Sequence, residues 1–195
     1  MTSGSRHAGG GTLFTEPYLV VGHRAGMADG FAVRDQYGRP LGVVVAADRS
    51  AVRKALRMLT NSGRFRPNCF EVRDSGGSVV LKVWAYDSRF LVTRADGTPI
   101  GEITRSGRDR FTFSVQGRDV GALETRDGCD FAITDVAGTE VARAPERFDG
   151  AVAEAVTSAG DRIVEMLTQL TDPLASLVIA AALTMNAALR HDPAG

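Results

Sequence analysis

Phe90-Leu-Val-Thr-Arg-Ala-Asp-Gly97, followed by Thr-Pro-Ile100-Gly-Glu-Ile103, decides the fold of this 195-residue chain. Apolar and polar residues alternate from Phe90, a turn closes on Gly97, and a second apolar run leaves through Ile100 and Ile103. That is the pattern of a β-hairpin. The same unit recurs as Phe31-Ala-Val-Arg-Asp35 with Gly38, Phe70-Glu-Val-Arg-Asp74 with Gly77, Phe111-Thr-Phe-Ser-Val115 with Gly117, and Phe131-Ala-Ile-Thr-Asp135 with Gly138. Its Phe anchors at 31, 70, 90, 111 and 131 are spaced 39, 20, 21 and 20 residues apart, a period of twenty with one doubled interval. A fixed short period signals a repeated supersecondary unit.

Working outward, Tyr18 to Arg24 reads as a strand before the first copy, and Asp161 to Thr168 as one after the last. Two strands per copy then give a mainly β fold of twelve short antiparallel strands. A meander of that size must close into a barrel, because an open sheet would leave adhesive edges. Twelve strands enclose more space than side chains alone fill in an eight-stranded barrel, so the lumen needs a plug. Asp172-Pro173 supplies an N-cap and a first-turn proline, and Leu174 to Leu189 is then apolar on every side except at Ser176, Thr184 and Asn186. These sixteen residues rise about 24 Å, less than the roughly 20 residues a bilayer core requires, so burial inside protein is expected rather than membrane insertion. Alanines at 175, 180, 181, 182, 187 and 188 make this helix slender enough to thread the lumen and meet all five hairpins. Gly42, Gly101 and Gly121, at matching places in the second strands, mark close backbone approach or a bend. The expected organisation is a tail at 1–11, a barrel over 12–190 with its plug helix at 172–190, and a tail at 191–195.

A hydrophobic content of 44% over this length suits a single core. Cys69 and Cys129 stand alone, with no spacing for a metal or redox pair, and read as buried free thiols in a reducing compartment. Met1 to Gly11 has no apolar stretch of the kind secretion requires. A cytoplasmic protein is expected.

The net charge is zero, but it is unevenly distributed. Asp48 to Arg66, inside the doubled interval, holds six basic residues and one acid, or +5, and leaves 17 basic against 22 acidic residues elsewhere. Asp48 to Asn61 has helical spacing, with Val52, Leu56 and Leu59 on one face and Arg49, Arg53 and Arg57 on the other. This predicts a short amphipathic basic helix.

The order of these motifs resembles the phospholipid scramblase and LURP-one-related families, which share the tubby C-terminal fold. The resemblance spans Thr12 to Arg190. It rests on Leu13-Phe-Thr-Glu-Pro-Tyr18 with Phe31-Ala-Val-Arg-Asp35, on Phe90 to Gly97 with Ile100-Gly-Glu-Ile103, on Phe131-Ala-Ile-Thr-Asp135, and on the apolar helix after Asp172-Pro173. It implies a twelve-stranded barrel around a C-terminal helix, and a non-catalytic protein that associates with phospholipids or is linked to phospholipid scrambling. The acidic calcium-binding segment that calcium-responsive scramblases carry before the terminal helix has no counterpart in Glu165 to Asp172, and their cysteine-rich palmitoylation segment and proline-rich arm are missing. Calcium ligation is therefore not expected.

The residues themselves offer no catalytic constellation. His7, His23 and His191 belong to no hydrolase or metalloprotease motif. Asp35 to Gly38 and Asp135 to Gly138 are explained by turn chemistry, since a calcium loop needs more ligands. No catalytic residue, metal or cofactor is expected. The candidate ligand-binding residues are Arg49, Arg53, Lys54 and Arg57, facing anionic phospholipid headgroups in a peripheral association at the inner membrane face. The alternatives are that this helix merely caps a barrel mouth, or that the protein is a cytoplasmic interaction module with a protein partner. Nucleic acid is not an expected partner, because overall basicity is lacking.

Overall fold

The computed structural model describes residues 11–23, 30–47, 68–86, 88–126, 130–145 and 161–190, with the backbone alone described for His23 and 185–190. Twelve strands form one closed antiparallel barrel in which each pairs with its sequence neighbours and the first pairs with the last. They are β1 (Tyr18–His23), β2 (Gly30–Arg34), β3 (Pro40–Ala46), β4 (Asn68–Asp74), β5 (Val79–Tyr86), β6 (Arg89–Arg94), β7 (Pro99–Arg105), β8 (Arg110–Val115), β9 (Arg118–Thr125), β10 (Phe131–Asp135), β11 (Glu140–Ala144) and β12 (Arg162–Met166). Helix α1 (Leu174–Arg190) follows. Each repeat copy is one hairpin, from β2–β3 to β10–β11, and the β1–β12 pairing closes the ring without an edge.

The five tight turns line one rim of the barrel, and the longer connections between hairpins lie at the other. At Asp35, Asp74, Arg94 and Asp135 the carbonyl accepts from the N–H of a glycine three residues on, at 3.0 Å in each case. These glycines, Gly38, Gly77, Gly97 and Gly138, have φ between 79° and 91°, the left-handed conformation that a three-residue hairpin loop demands. The fourth turn is shorter. Val115 pairs directly with Arg118, and both central residues, Gln116 (φ 50°) and Gly117 (φ 75°), are left-handed, as a type I′ turn requires.

Beyond every turn the register slips by one residue, and the residue left unpaired is aliphatic. Leu41, Val80, Ile100, Val120 and Val141 are these bulge residues, and all pack on the core. The residue after each bulge faces Val33, Val72, Val92, Phe113 or Ile133 on the partner strand, and is Gly42, Leu81, Gly101, Gly121 or Ala142 respectively. A side chain at Gly42, Gly101 or Gly121 would stand 2.2, 2.5 or 2.6 Å from a neighbouring strand's carbonyl oxygen. Close backbone approach, the reading the sequence gives these glycines, is their role.

The lumen is filled by α1. Every residue from Ala175 to Thr184 is buried, and Leu177 to Ala180 are completely so. The helix leans chiefly on β4–β7 and β9, rather than evenly on all five hairpins. Beside that sector, at β3, space is filled by the turn before β1, where buried Leu13 reaches Gly42 as Leu177 reaches Gly101 and Leu174 reaches Gly121. The two polar side chains on the buried stretch are satisfied locally, Ser176 Oγ donating to Asp172 Oδ1 and Thr184 Oγ1 to the Ala180 carbonyl, both at 2.6 Å.

The helix start needs one correction. Its first helical residue is Leu174, one residue after the first-turn proline expected at Pro173, and the Thr171 and Pro173 carbonyls accept from Ala175 and Leu177 N–H at 3.0 and 3.2 Å. The Asp172–Pro173 peptide is cis.

Candidate functional surface

The barrel interior offers little to a polar ligand. Among the described residues, apart from the helix hydroxyls, the buried polar ones are Asp35 and Thr93. Asp35 is consumed by its own turn, accepting from Tyr37 N–H and Arg39 N–H at 2.8 Å each and from the Arg39 guanidinium at 2.6 Å. Burial pushes its carboxyl up, but these hydrogen bonds and the Arg39 charge outweigh it and hold the group below its ordinary range. Asp135 uses Oδ1 in the same way on Ala137 and Thr139 N–H, both at 2.9 Å. The aspartates of these turns thus serve the backbone. Among the described residues no group of three or more His, Cys, Asp or Glu could hold a metal ion.

Cys69 is a buried free thiol, its pKa pushed up to about 12 by burial first and by Glu71 second. Cys129, His7 and His191 lie outside the described residues, as do the basic candidates Arg49, Arg53, Lys54 and Arg57 and the helix expected over 48–61. What is described is where their segment attaches: it joins β3 to β4, its ends tied by an Ala47 N–H to Cys69 carbonyl hydrogen bond of 2.8 Å. Both ends lie on the rim opposite the tight turns.

Outside, the wall is charged, and most of its cations are engaged. Arg39, Arg73, Arg94 and Arg143 pair with Asp35, Glu71, Asp172 and Glu165 at 2.6, 2.6, 2.9 and 2.7 Å. Arg89 pairs with Glu102 and Arg110 with Glu124 across neighbouring strands. Apolar side chains inside and charges outside reverse the arrangement of a membrane-spanning β-barrel. No helix of the described residues is long and apolar enough to cross a membrane.

Each tight turn carries an aspartate at or beside it, Asp35, Asp74, Asp96, Asp119 and Asp135, and four of the five also carry an arginine, Arg39, Arg73, Arg94 and Arg118. The opposite rim carries the β7–β8 loop, Arg105-Ser-Gly-Arg108-Asp-Arg110. There the Arg105 guanidinium donates to the Gly107 and Arg108 carbonyls at 3.2 and 2.8 Å and lies over the Phe111 ring. Three arginines in six residues were visible in the sequence, but only the topology sets them on the same end of the barrel as the β3–β4 segment.

No family model matches the chain, and no curated protein does. The fold is found in the crystal structure of a protein from Arabidopsis thaliana, with 11% sequence identity and a TM-score of 0.54, over 85% of this chain and 91% of that one. At that identity the likeness is one of fold alone.

Proposed function

We propose that this protein is a non-catalytic, scramblase-like barrel of the cytoplasm that associates peripherally with anionic phospholipid membranes. Its basic segment 48–66, through Arg49, Arg53, Lys54 and Arg57, is the contact. The observation that carries the reading is the +5 segment attached at the rim opposite the tight turns. A cationic segment at one end of a neutral body is what an anionic surface attracts. The resemblance of the motif order to the scramblase and LURP-one-related families supports the same reading. The plugged lumen bears on mechanism: a ligand meets the rim and wall, so the association is a docking event that needs no cavity.

Cosedimentation with vesicles of anionic or neutral lipid, at two salt concentrations, tests it. The wild type should bind anionic vesicles, and less so as salt screens the attraction. Arg53→Glu with Arg57→Glu should remove the binding while leaving the thermal melt within about 0.5 kcal/mol of wild type, as substitutions of exposed charges usually do. A wild type that ignores anionic vesicles at low salt sinks the lipid reading, and the interaction-module alternative then takes its place.

A further inference from the structure

We infer that the β7–β8 loop is a second contact for phosphate groups of anionic lipid, with Arg105 and Arg108 as its cations. This rests on the membrane reading above and extends it to residues the structure describes. Arg105 differs from most arginines of the wall. Its guanidinium is held by two neutral carbonyls and an aromatic ring, and among the described residues no carboxylate pairs with it or with Arg108. The charge is therefore fixed in place but not neutralised, the condition under which an arginine binds an incoming phosphate with little ordering cost.

The loop is also built to hold its shape. Ser106 N–H donates to the Arg110 carbonyl at 2.9 Å, Thr112 Oγ1 donates to Ser106 Oγ at 2.9 Å, and Thr125 N–H donates to the Asp109 carbonyl at 2.8 Å. Arg105, Arg108, Arg110 and Arg126 stand against Asp109, Glu124 and Asp130 here, four charges against three, and Arg110 and Glu124 are already paired. Of the three arginines left, Arg105 and Arg108 belong to the β7–β8 loop itself. β7 lies four strands from β3 on the same rim, about 19 Å away at the usual 4.8 Å spacing. A flat lipid surface can touch both places at once.

Partitioning onto phosphatidylserine vesicles tests the inference. Arg105→Ala and Arg108→Ala should each weaken it about fivefold, the effect of one cation at an anionic surface, and the double variant by more than tenfold. Arg105→Lys keeps the charge and loses the fork, and should retain most of the binding; melts of all variants guard against misfolding. If the double variant partitions like wild type while Arg53→Glu with Arg57→Glu does not, the loop is no contact and the proposed function stands. If the loop variants lose binding and the β3–β4 variant does not, the loop is the contact and the basic segment is not. A melting temperature raised by inorganic phosphate, together with unchanged vesicle binding by the double variant, marks a site for free phosphate and overturns the lipid assignment.

Discussion

Gly101 shows how close the strands approach behind a bulge. It follows the bulge residue Ile100, so the two consecutive residues both belong to the interior, and at this hairpin there is no room for a Cβ in the second place. An added methyl would stand 2.5 Å from the Ser114 carbonyl oxygen and 3.2 Å from Leu177 Cδ1, a clash with backbone on one side and with the plug on the other. Gly101→Ala should therefore cost roughly 1–3 kcal/mol, as overpacking a tight core does. A chemical-denaturation midpoint equal to wild type would show that the strand can shift at no cost. The glycines were legible in the sequence because their place relative to the turn repeats. The bulges were not, because an apolar pair such as Ile100-Gly101 in an alternating strand gives no sign of which residue leaves the ladder.

Among the elements, α1 depends most on its surroundings. A helix apolar on every side has no face for water, and the closed barrel provides the enclosure. Leu183→Asp would bury a carboxylate with nothing to pair it and should cost several kcal/mol, comparable with the whole stability of a domain. Loss of a cooperative melt, or aggregation, is the expected result; a wild-type melt would place the helix outside the core. The helix was legible because its apolar length is unusual. Its start lies one residue later than Asp-Pro, read as cap and first turn, implies, and Asp172 anchors the approach to the helix through Ser176 and Arg94. The hairpin pattern was equally plain, yet the fourth turn differs by one residue, a change that the spacing of Phe111 and Gly117 records.

On the scale of the molecule, the placement of the β7–β8 arginines on the same rim as the +5 segment was not legible, since it depends on which loops the closed meander brings to one end. The aspartates of the tight turns lie between Asp35 and Asp135, and no window of sequence gathers them on the other rim. Carboxylates at that rim set the response to acid. The carboxyl of Asp172 lies below its usual 3.8, chiefly through the Ser176 hydrogen bond, with burial opposing and Arg94 assisting. That of Asp96 is lowered chiefly by the Thr98 N–H, and that of Asp35 is lowered despite its burial. A carboxylate whose folded pKa is depressed contributes stability above its unfolded pKa and loses it as pH falls through the folded value. All three groups lie at the turn rim, two in the hairpin tips and one where the chain enters the lumen. Lowering the pH from about 4 toward 2 should therefore loosen this end first. Hydrogen-exchange protection at Gly38, Thr98 and Leu177 should fall, after correction for intrinsic rates, before protection at Phe111 and Leu123 toward the other rim. Equal loss at both ends, or earlier loss at the opposite rim, would show that these carboxylates do not govern the acid transition.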